Sequence, residues 1–338
     1  MKAPMTRTTK PLVEFGATSL IRRAEMLAAG YSDNDIRRLR ETRALNSVSP
    51  GLYARGEADK ELDVAARHRA AVDAMVPGLT GNPVVSHISA AIVHGLPFTH
   101  SELPPVHVIR GGTAKSRRSA GVHVHRAASV PPDVVLAGGL AVTSVARTVL
   151  DCARILPFEH AVVLADAAIH RGLVTETKLA AQLALHSRVP GMRLAAEVIS
   201  FADGRSASPG ESHSRVILHR AGLPAPQLHL PVYDTGNSLL GTATFGYPAA
   251  RVVGEFDGYI RYGRSLCGGD FAAELPAGIA QQEMDREHRL RQAGWLVVRW
   301  TWPDLDTPGE LTRQLSEALA DRAGHAGTGR QSTSIGAR

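Results

Sequence analysis

Cysteine is scarce in this chain, which has only Cys152 and Cys267 among its 338 residues. Two cysteines so far apart supply neither a disulfide framework nor the paired cysteines of a zinc finger, so both classes are excluded. Long hydrophobic runs are absent as well, since no stretch approaches the roughly 20 apolar residues of a membrane-spanning helix. The first twenty residues also lack the apolar core of a signal peptide. We therefore expect a cytoplasmic protein that does not enter a membrane.

The amino-acid composition is that of a basic globular protein. Hydrophobic residues make up 44% of the chain and charged residues 21%, and the net charge is +6. These values are typical of a protein with packed cores, and the positive charge favours polyanionic partners without identifying one. The length predicts two or three domains.

The N-terminal segment has the pattern of two short helices joined by a tight turn. Apolar residues at helical spacing predict a helix from Thr18 to Gly30. Ser32 and Asp35 form the capping signal of a second helix that runs to about Leu45. A turn and a short strand follow at 48–53, and this order of elements is that of a winged helix-turn-helix.

The second helix carries the clearest binding chemistry. Its outer face has four arginines, Arg37, Arg38, Arg40 and Arg43. Guanidinium groups match phosphate oxygens and guanine edges in fork geometry, so we predict that these residues contact DNA. The alternative is a solvated helix face on which the arginines pair with Asp33, Asp35 and Glu41.

The middle of the chain predicts a mixed α/β segment. A helix from Ser86 to His94 precedes strands at 106–110 and 122–126, which we expect to be joined by a basic hairpin. Further helices are predicted at 144–156, 159–170 and 176–185. The hairpin cations Lys115, Arg117 and Arg118 either extend a phosphate-binding track or form a solvated loop.

Two sets of polar residues in this segment favour structural roles. His87 and His94 lie on one face of the predicted helix, but no cysteine or carboxylate has ligand spacing to them, so core histidines are favoured over a metal site. Arg147 and Asp151 have the spacing of a helical ion pair and would form a polar pocket with Thr143 and Thr148.

The C-terminal part predicts a second α/β segment. After a linker-like stretch at 206–210, a helix at 211–221 precedes strands at 228–233, 241–247 and 251–256, a helix at 281–293 and a strand at 295–302. We expect Trp295, Trp300 and Trp302 to be core or edge-strand residues, and the residues beyond Ala323 to be disordered.

Acidic residues in this segment suggest metal chemistry. Glu211 from the helix, with Glu255 and Asp257 from a strand, would offer oxygen ligands that hold Mg²⁺ and activate water against a phosphodiester. The alternative is a strand that ends in an Asp–Gly turn, with Glu255 paired to Arg299 or another cation.

The N-terminal half resembles the type IV abortive-infection antitoxins. Residues Thr18 to Tyr53 are similar to their winged-helix domain. The motifs Val85-Ser86-His87, Ala90-Ala91, His94-Gly95-Leu96 and LAVTSVARTVLD at 140–151 are similar to the domain that follows it. The resemblance implies repression of the protein's own operon and neutralisation of a nucleotidyltransferase toxin.

The C-terminal part, from Ser208 to Leu305, resembles endonuclease-like domains related to the very-short-patch repair endonuclease. The similarity rests on the motifs Ser208-Pro209-Gly210-Glu211-Ser212, Glu255-Phe256-Asp257-Gly258 and Gly294 to Arg299. It implies a PD-(D/E)XK fold with Glu211, Glu255, Asp257 and Glu283 as catalytic residues and Glu255 and Asp257 as ligands of Mg²⁺.

The chain departs from that pattern at two positions. Thr244-Phe245 stands where the family has Asp-Phe, and Glu283-Met284 stands where it has Glu-Lys, although Arg286 and Glu287 remain. A threonine hydroxyl is a poor Mg²⁺ ligand. We therefore predict an incomplete catalytic set and leave open whether the protein is an enzyme.

Residues and resemblances together predict an α+β or α/β multidomain protein. The expected ranges are a basic arm and winged helix-turn-helix at 1–56, a mixed antitoxin-like domain at 57–205, a restriction-endonuclease-like domain at 206–310, and a terminal helix with a disordered tail at 311–338. The predicted function is that of a DNA-binding regulatory or antitoxin-like protein. The alternatives are an active Mg²⁺-dependent endonuclease and a module that binds a toxin protein.

Overall fold

The computed structural model describes residues 20–49, 51–55, 63–98, 103–111, 117–119, 121–127, 133–186, 189–258 and 277–328. The chain divides into two compact units, Met1–Leu156 with Val174–Ala196 and Pro157–Leu173 with Glu197–Arg338. Both contain helices and sheets, so the predicted α+β multidomain class is confirmed. No helix among the described residues is long and apolar enough to cross a membrane.

The first unit opens with a small helix-and-sheet core. Its elements are β1 (Leu20–Arg22), α1 (Arg23–Ala28), α2 (Asp33–Glu41), β2 (Leu45–Ser49) and β3 (Leu52–Arg55). The strands form an antiparallel sheet in the order β1-β3-β2. The predicted helix from Thr18 to Gly30 is therefore wrong at its start: Leu20 and Ile21 are buried as a strand paired with β3, and Thr18 lies outside the described residues.

Helix α2 begins as its sequence predicts. The Ser32 hydroxyl accepts a hydrogen bond from Asp35 N at 3.2 Å, and the Asp35 carboxylate accepts one from Ser32 N at 2.9 Å. This reciprocal capping satisfies backbone donors at the helix start. The helix ends at Glu41, short of the predicted Leu45, because Arg43 has a left-handed φ of 57° and Leu45 opens β2.

A six-stranded sheet forms the larger part of the first unit. Its strands are β4 (Val84–Val85), β5 (Val106–Gly111), β6 (Arg117–Ser119), β7 (Val122–Ala127), β8 (Val134–Ala137) and β9 (Leu140–Thr143), in the order β6-β7-β5-β4-β9-β8. The helices of this part are α3 (Val64–Met75), α4 (His87–Val93), α5 (Val145–Ala153) and α7 (Glu176–Leu185). The predicted helices at 86–94, 144–156 and 176–185 are confirmed to within a few residues.

The predicted hairpin between the strands at 106–110 and 122–126 is wrong. Strands β5 and β7 are parallel, with Val106 opposite Val122, and parallel neighbours cannot be joined by a tight turn. The antiparallel partner of β7 is β6. Alternation along β5 and β7 places valines on one face, where they join a buried cluster, and histidines on the other.

The second unit packs helices with a four-stranded sheet. Its elements are α6 (Phe158–His170), α9 (Pro209–Arg220), β10 (Gln227–Tyr233), β11 (Leu239–Tyr247), β12 (Val252–Phe256), α10 (Ala277–Gln292), β13 (Leu296–Trp300), α11 (Trp302–Asp306) and α12 (Gly309–Thr328), and α8 (Met192–Phe201) leads into it. The first three strands form the predicted antiparallel meander, and β13 adds parallel to β12.

The stretch at 206–210 is not a linker. Ser206 and Gly210 are buried, and α9 already begins at Pro209. A Cβ atom added to Gly210 would lie 1.9 Å from the ring of Phe256, so only glycine fits beneath that ring. The predicted core role of Trp300 is confirmed, because its side chain is buried and its indole N–H donates to Ser214 Oγ at 2.8 Å.

The end of the chain is more helical than predicted. Helix α12 continues to Thr328, so the expectation of disorder beyond Ala323 is wrong for residues 324–328. Residues 329–338 lie outside the described residues.

Candidate functional site

Strand β12, strand β13 and helix α10 bring together charged side chains in the second unit. Four carboxylates and two arginines make up this set, which we call the carboxylate–arginine network: Glu255, Asp257, Glu283, Glu287, Arg286 and Arg299. Three of the four predicted catalytic residues belong to it, namely Glu255, Asp257 and Glu283.

Glu255 is the buried centre of the network. Its side chain is 8% exposed, and Arg286 Nη2 donates to its Oε1 atom at 2.8 Å. Its Oε2 atom accepts a hydrogen bond from the Thr244 hydroxyl at 2.7 Å. Both carboxylate oxygens are therefore bound to this chain's own donors. The predicted alternative of a cation partner for Glu255 is confirmed, and the partner is Arg286.

Arg299 donates hydrogen bonds to the other three acids of the network. Its guanidinium group donates to Asp257 at 3.0 Å, to Glu287 at 2.9 Å and to Glu283. Arg286 also donates to Glu283, at 2.6 and 2.9 Å. These hydrogen bonds hold the pKa of the Glu283 carboxyl below its usual value, so Glu283 is ionised and unsuited to act as a general acid.

Glu211, the fourth predicted catalytic residue, caps the start of α9. Its carboxylate accepts hydrogen bonds from Ala207 N at 2.8 Å and Ser208 Oγ at 3.2 Å, and His229 Nε2 lies 3.4 Å away. The position of the Glu211 carboxylate is therefore explained by its hydrogen bonds at the start of α9.

The arrangement does not fit a Mg²⁺ site. Mg²⁺ needs oxygen ligands in near-octahedral geometry, but Thr244 and Arg286 occupy the two oxygens of Glu255, and Arg299 binds both oxygens of Asp257. Breaking an ion pair as buried as that of Glu255 is costly. The network instead links the sheet to α10 through ion pairs.

The predicted DNA-binding arginines lie on α2 and directly after it. Arg37, Arg40 and Arg43 are exposed, and Arg38 is half-buried. Ile36 and Leu39, on the opposite face, are buried against Met26 and Tyr31. The hydrophobic stripe thus fixes which side of α2 faces solvent. Of the other predicted cations, Lys115 and the side chains of Arg117 and Arg118 lie outside the described residues.

The acids expected to neutralise these arginines are largely engaged elsewhere. Asp33 pairs with Arg23 at 2.7 Å, and Asp35 caps the helix through Ser32. Of the acids on α2, Glu41 approaches the set, at 3.7 Å from Arg37 Nε. Within the described part of the chain, no carboxylate lies within ion-pair distance of Arg38, Arg40 or Arg43.

The predicted pairing of Arg147 with Asp151 is confirmed. Arg147 Nε donates to Asp151 at 2.8 Å, and Arg154 donates to the other carboxylate oxygen at 2.9 Å. Arg147 Nη1 lies 2.7 Å from His186 Nε2. Asp151 is fully buried between two arginines. We therefore call Arg147, Asp151 and Arg154 the structural ion triad of α5.

Of the two predicted core histidines, His87 is buried and His94 is half-buried, and the two have different partners. His94 Nε2 contacts the carbonyl oxygen of Thr143 at 2.7 Å. His87 instead lies beside His107 and His125, and one ring nitrogen of each lies within 4.8 Å of the others. Sequence reasoning missed this group because it depends on strand pairing. The only local signal was the alternation of valine and histidine in β5 and β7.

Comparison with known proteins identifies similar proteins whose names state no activity. No family model matches the chain. Two Mycobacterium tuberculosis proteins, the uncharacterized proteins MT2308 of strain CDC 1551 / Oshkosh and Rv2248 of strain H37Rv, are 27% identical over 250 residues, which is 73% of this chain and 84% of each relative. The crystal structure of the RV2827C protein from Mycobacterium tuberculosis aligns with 63% of this chain and 79% of that chain, at a TM-score of 0.34 and 14% identity. The chain is thus similar to mycobacterial proteins whose names state no function.

Proposed function

We propose that this is a cytoplasmic DNA-binding regulatory or antitoxin-like protein that contacts DNA through α2 as part of a winged helix-turn-helix. The observation that carries the proposal is the pair of exposed arginines Arg40 and Arg43, for which no carboxylate of the described residues lies within ion-pair distance. In this proposal the C-terminal domain has a nuclease-like fold and binds nucleic acid without cutting it.

The charge distribution along α2 supports phosphate contacts near its C-terminal end. The acids Asp33 and Asp35 lie in the first turn and are held by Arg23 and Ser32. Arg40 and Arg43 lie at the other end, where cations also stabilise the helix dipole. A guanidinium group on a rigid helix can neutralise a DNA phosphate. This releases the counterions that were condensed on the DNA, which favours binding at low salt.

Fluorescence anisotropy with DNA from upstream of the protein's own coding region tests this proposal. We expect Arg40→Gln/Arg43→Gln to weaken binding at every DNA sequence and to reduce the slope of log affinity against log salt by about 0.9 for each phosphate that the variant no longer neutralises. Arg313→Gln is the matched control, because Arg313 is an exposed arginine on α12. No binding by folded wild-type protein at low salt, or equal binding by the double variant, would refute the proposal.

The non-cutting role of the C-terminal domain rests on Glu255. Its two oxygens are held by Arg286 and Thr244, so a metal ion would compete with an ion pair that is shielded from water. We expect no cleavage of supercoiled DNA with Mg²⁺ or Mn²⁺. If wild type cuts and both Glu255→Ala and Asp257→Asn abolish cutting while Glu317→Ala does not, the rival function, an active endonuclease, is correct.

A toxin partner, implied by the resemblance to antitoxins, stays a prediction. Co-purification with the product of a neighbouring nucleotidyltransferase gene is the measurement that tests it.

A further inference from the structure

Three histidines from separate segments converge in the first unit. His87 is the first residue of α4, His107 lies on β5 and His125 lies on β7. One ring nitrogen from each lies within 4.8 Å of the other two. Among the histidine, cysteine and acidic side chains of the described residues, these three have ligand atoms close enough together to share a metal ion.

We propose that His87, His107 and His125 bind one Zn²⁺ ion through their ring nitrogens. Imidazole nitrogens suit Zn²⁺, whereas Mg²⁺ and Ca²⁺ require oxygen ligands, which this group lacks. Three protein ligands leave a fourth coordination position for water or an anion. The site is independent of the proposed DNA contact, since it uses none of the α2 arginines.

The distances are compatible with this assignment once the rings rotate, because the nitrogen lone pairs of the stacked His87 and His125 rings lie in nearly parallel planes and must be tilted towards one ion. Zn–N bonds of about 2.0–2.1 Å in tetrahedral geometry place the ligand nitrogens about 3.3 Å apart. His125 Nε2 and His107 Nδ1 are 2.9 Å apart, and the His87 and His125 rings are nearly parallel with centroids 3.7 Å apart. The first pair must open by a few tenths of an ångström, and the most distant nitrogens must close by up to about 1.5 Å, a change that side-chain rotation supplies.

The surroundings of His87 support a built site. His87 is 3% exposed, and its backbone has a left-handed φ of 52°. Its Nδ1 atom lies 3.0 Å from Ser86 Oγ, which orients the ring as outer-shell partners of metal-bound histidines do.

Titration of the chelator-treated full-length protein with Zn²⁺ tests the proposal, with Co²⁺ as a spectroscopic probe. We expect one Zn²⁺ per chain, visible absorption bands of tetrahedral Co²⁺, and a higher Tm with Zn²⁺. His125→Ala should weaken Zn²⁺ binding at least tenfold. His288→Ala, which removes an exposed histidine of α10, should bind as wild type does.

Two safeguards keep the test decisive. His125→Gln keeps a side chain of similar length, and circular dichroism of each metal-free variant checks that it folds. Should both His125 variants fail to fold, the wild-type stoichiometry and the Co²⁺ spectrum decide. Wild-type protein that takes up no stoichiometric Zn²⁺, or folded His125 variants that bind it as tightly as wild type, would overturn the proposal.

Discussion

Replacing Arg286 by methionine probes whether the carboxylate–arginine network stabilises the second unit. Arg286 donates to Glu255 at 2.8 Å and to Glu283 at 2.6 Å, and its side chain is 18% exposed. In Arg286→Met, the buried Glu255 keeps only the donors of Thr244. Breaking a fully buried ion pair by removing one partner costs about 3–5 kcal/mol. Because Glu283 is more exposed and can be hydrated, we expect a loss of about 2–4 kcal/mol in the free energy of unfolding.

Urea unfolding followed by tryptophan fluorescence measures this change. All three tryptophans of the chain, Trp295, Trp300 and Trp302, lie in the second unit, so the signal reports on that unit. The matched control is Arg313→Met, since Arg313 also bonds two glutamates, at 2.6 and 2.8 Å, but on the surface of α12. We expect almost no change in the control.

A double variant separates loss of the pair from loss of packing. Adding Glu255→Gln to Arg286→Met removes the uncompensated buried charge, so the double variant should be more stable than Arg286→Met alone. If Arg286→Met is no less stable than Arg313→Met, or if Glu255→Gln destabilises it further, the network does not act as a buried ion pair.

Three further predictions concern packing, pH and the ion triad. Gly210→Ala places a methyl group 1.9 Å from the ring of Phe256 and should lower the stability of the second unit by about 1–3 kcal/mol in the same urea assay; wild-type stability would contradict the packing. Burial lowers the pKa of His68 to about 4. The unfolded chain therefore protonates first, and stability falls by up to about 1.4 kcal/mol per unit as the pH drops from about 6.5 to 4. Thermal unfolding at several pH values should show a shallower dependence for His68→Asn, and an equal dependence would refute this. Asp151→Asn leaves two guanidinium groups without their acid and should cost about 3 kcal/mol in thermal unfolding followed by circular dichroism; an unchanged Tm would show that the triad is not stabilising.

Features that depend on neighbouring residues were predictable from the sequence. The Ser32 cap, the helical ion pair of Arg147 with Asp151 and the meander of β10 to β12 all follow from local spacing, and the structure contains each of them. These signals need no knowledge of the rest of the fold, because their partners lie on the same element or on consecutive strands.

Features that depend on distant pairing were not predictable. The sequence of Leu20 to Arg22 predicts a helix, but these residues form a strand because they pair with β3. The parallel pairing of β5 with β7 brings His107 and His125 together, and no periodicity in either strand reveals its direction. Likewise, Glu255 and Arg286 are 31 residues apart, so their ion pair follows from the packing of α10 against the sheet.

Thr244 helps to satisfy the buried carboxylate of Glu255. A carboxylate at this position would face Glu255 at about hydrogen-bonding distance, and two like charges there would require a metal ion or a shared proton. The threonine hydroxyl instead donates to Glu255, and Arg286 supplies the positive charge on the other side. Thr244 and Arg286 are therefore complementary. The hydroxyl donates to Glu255 without adding a charge, and the guanidinium group balances the charge of Glu255.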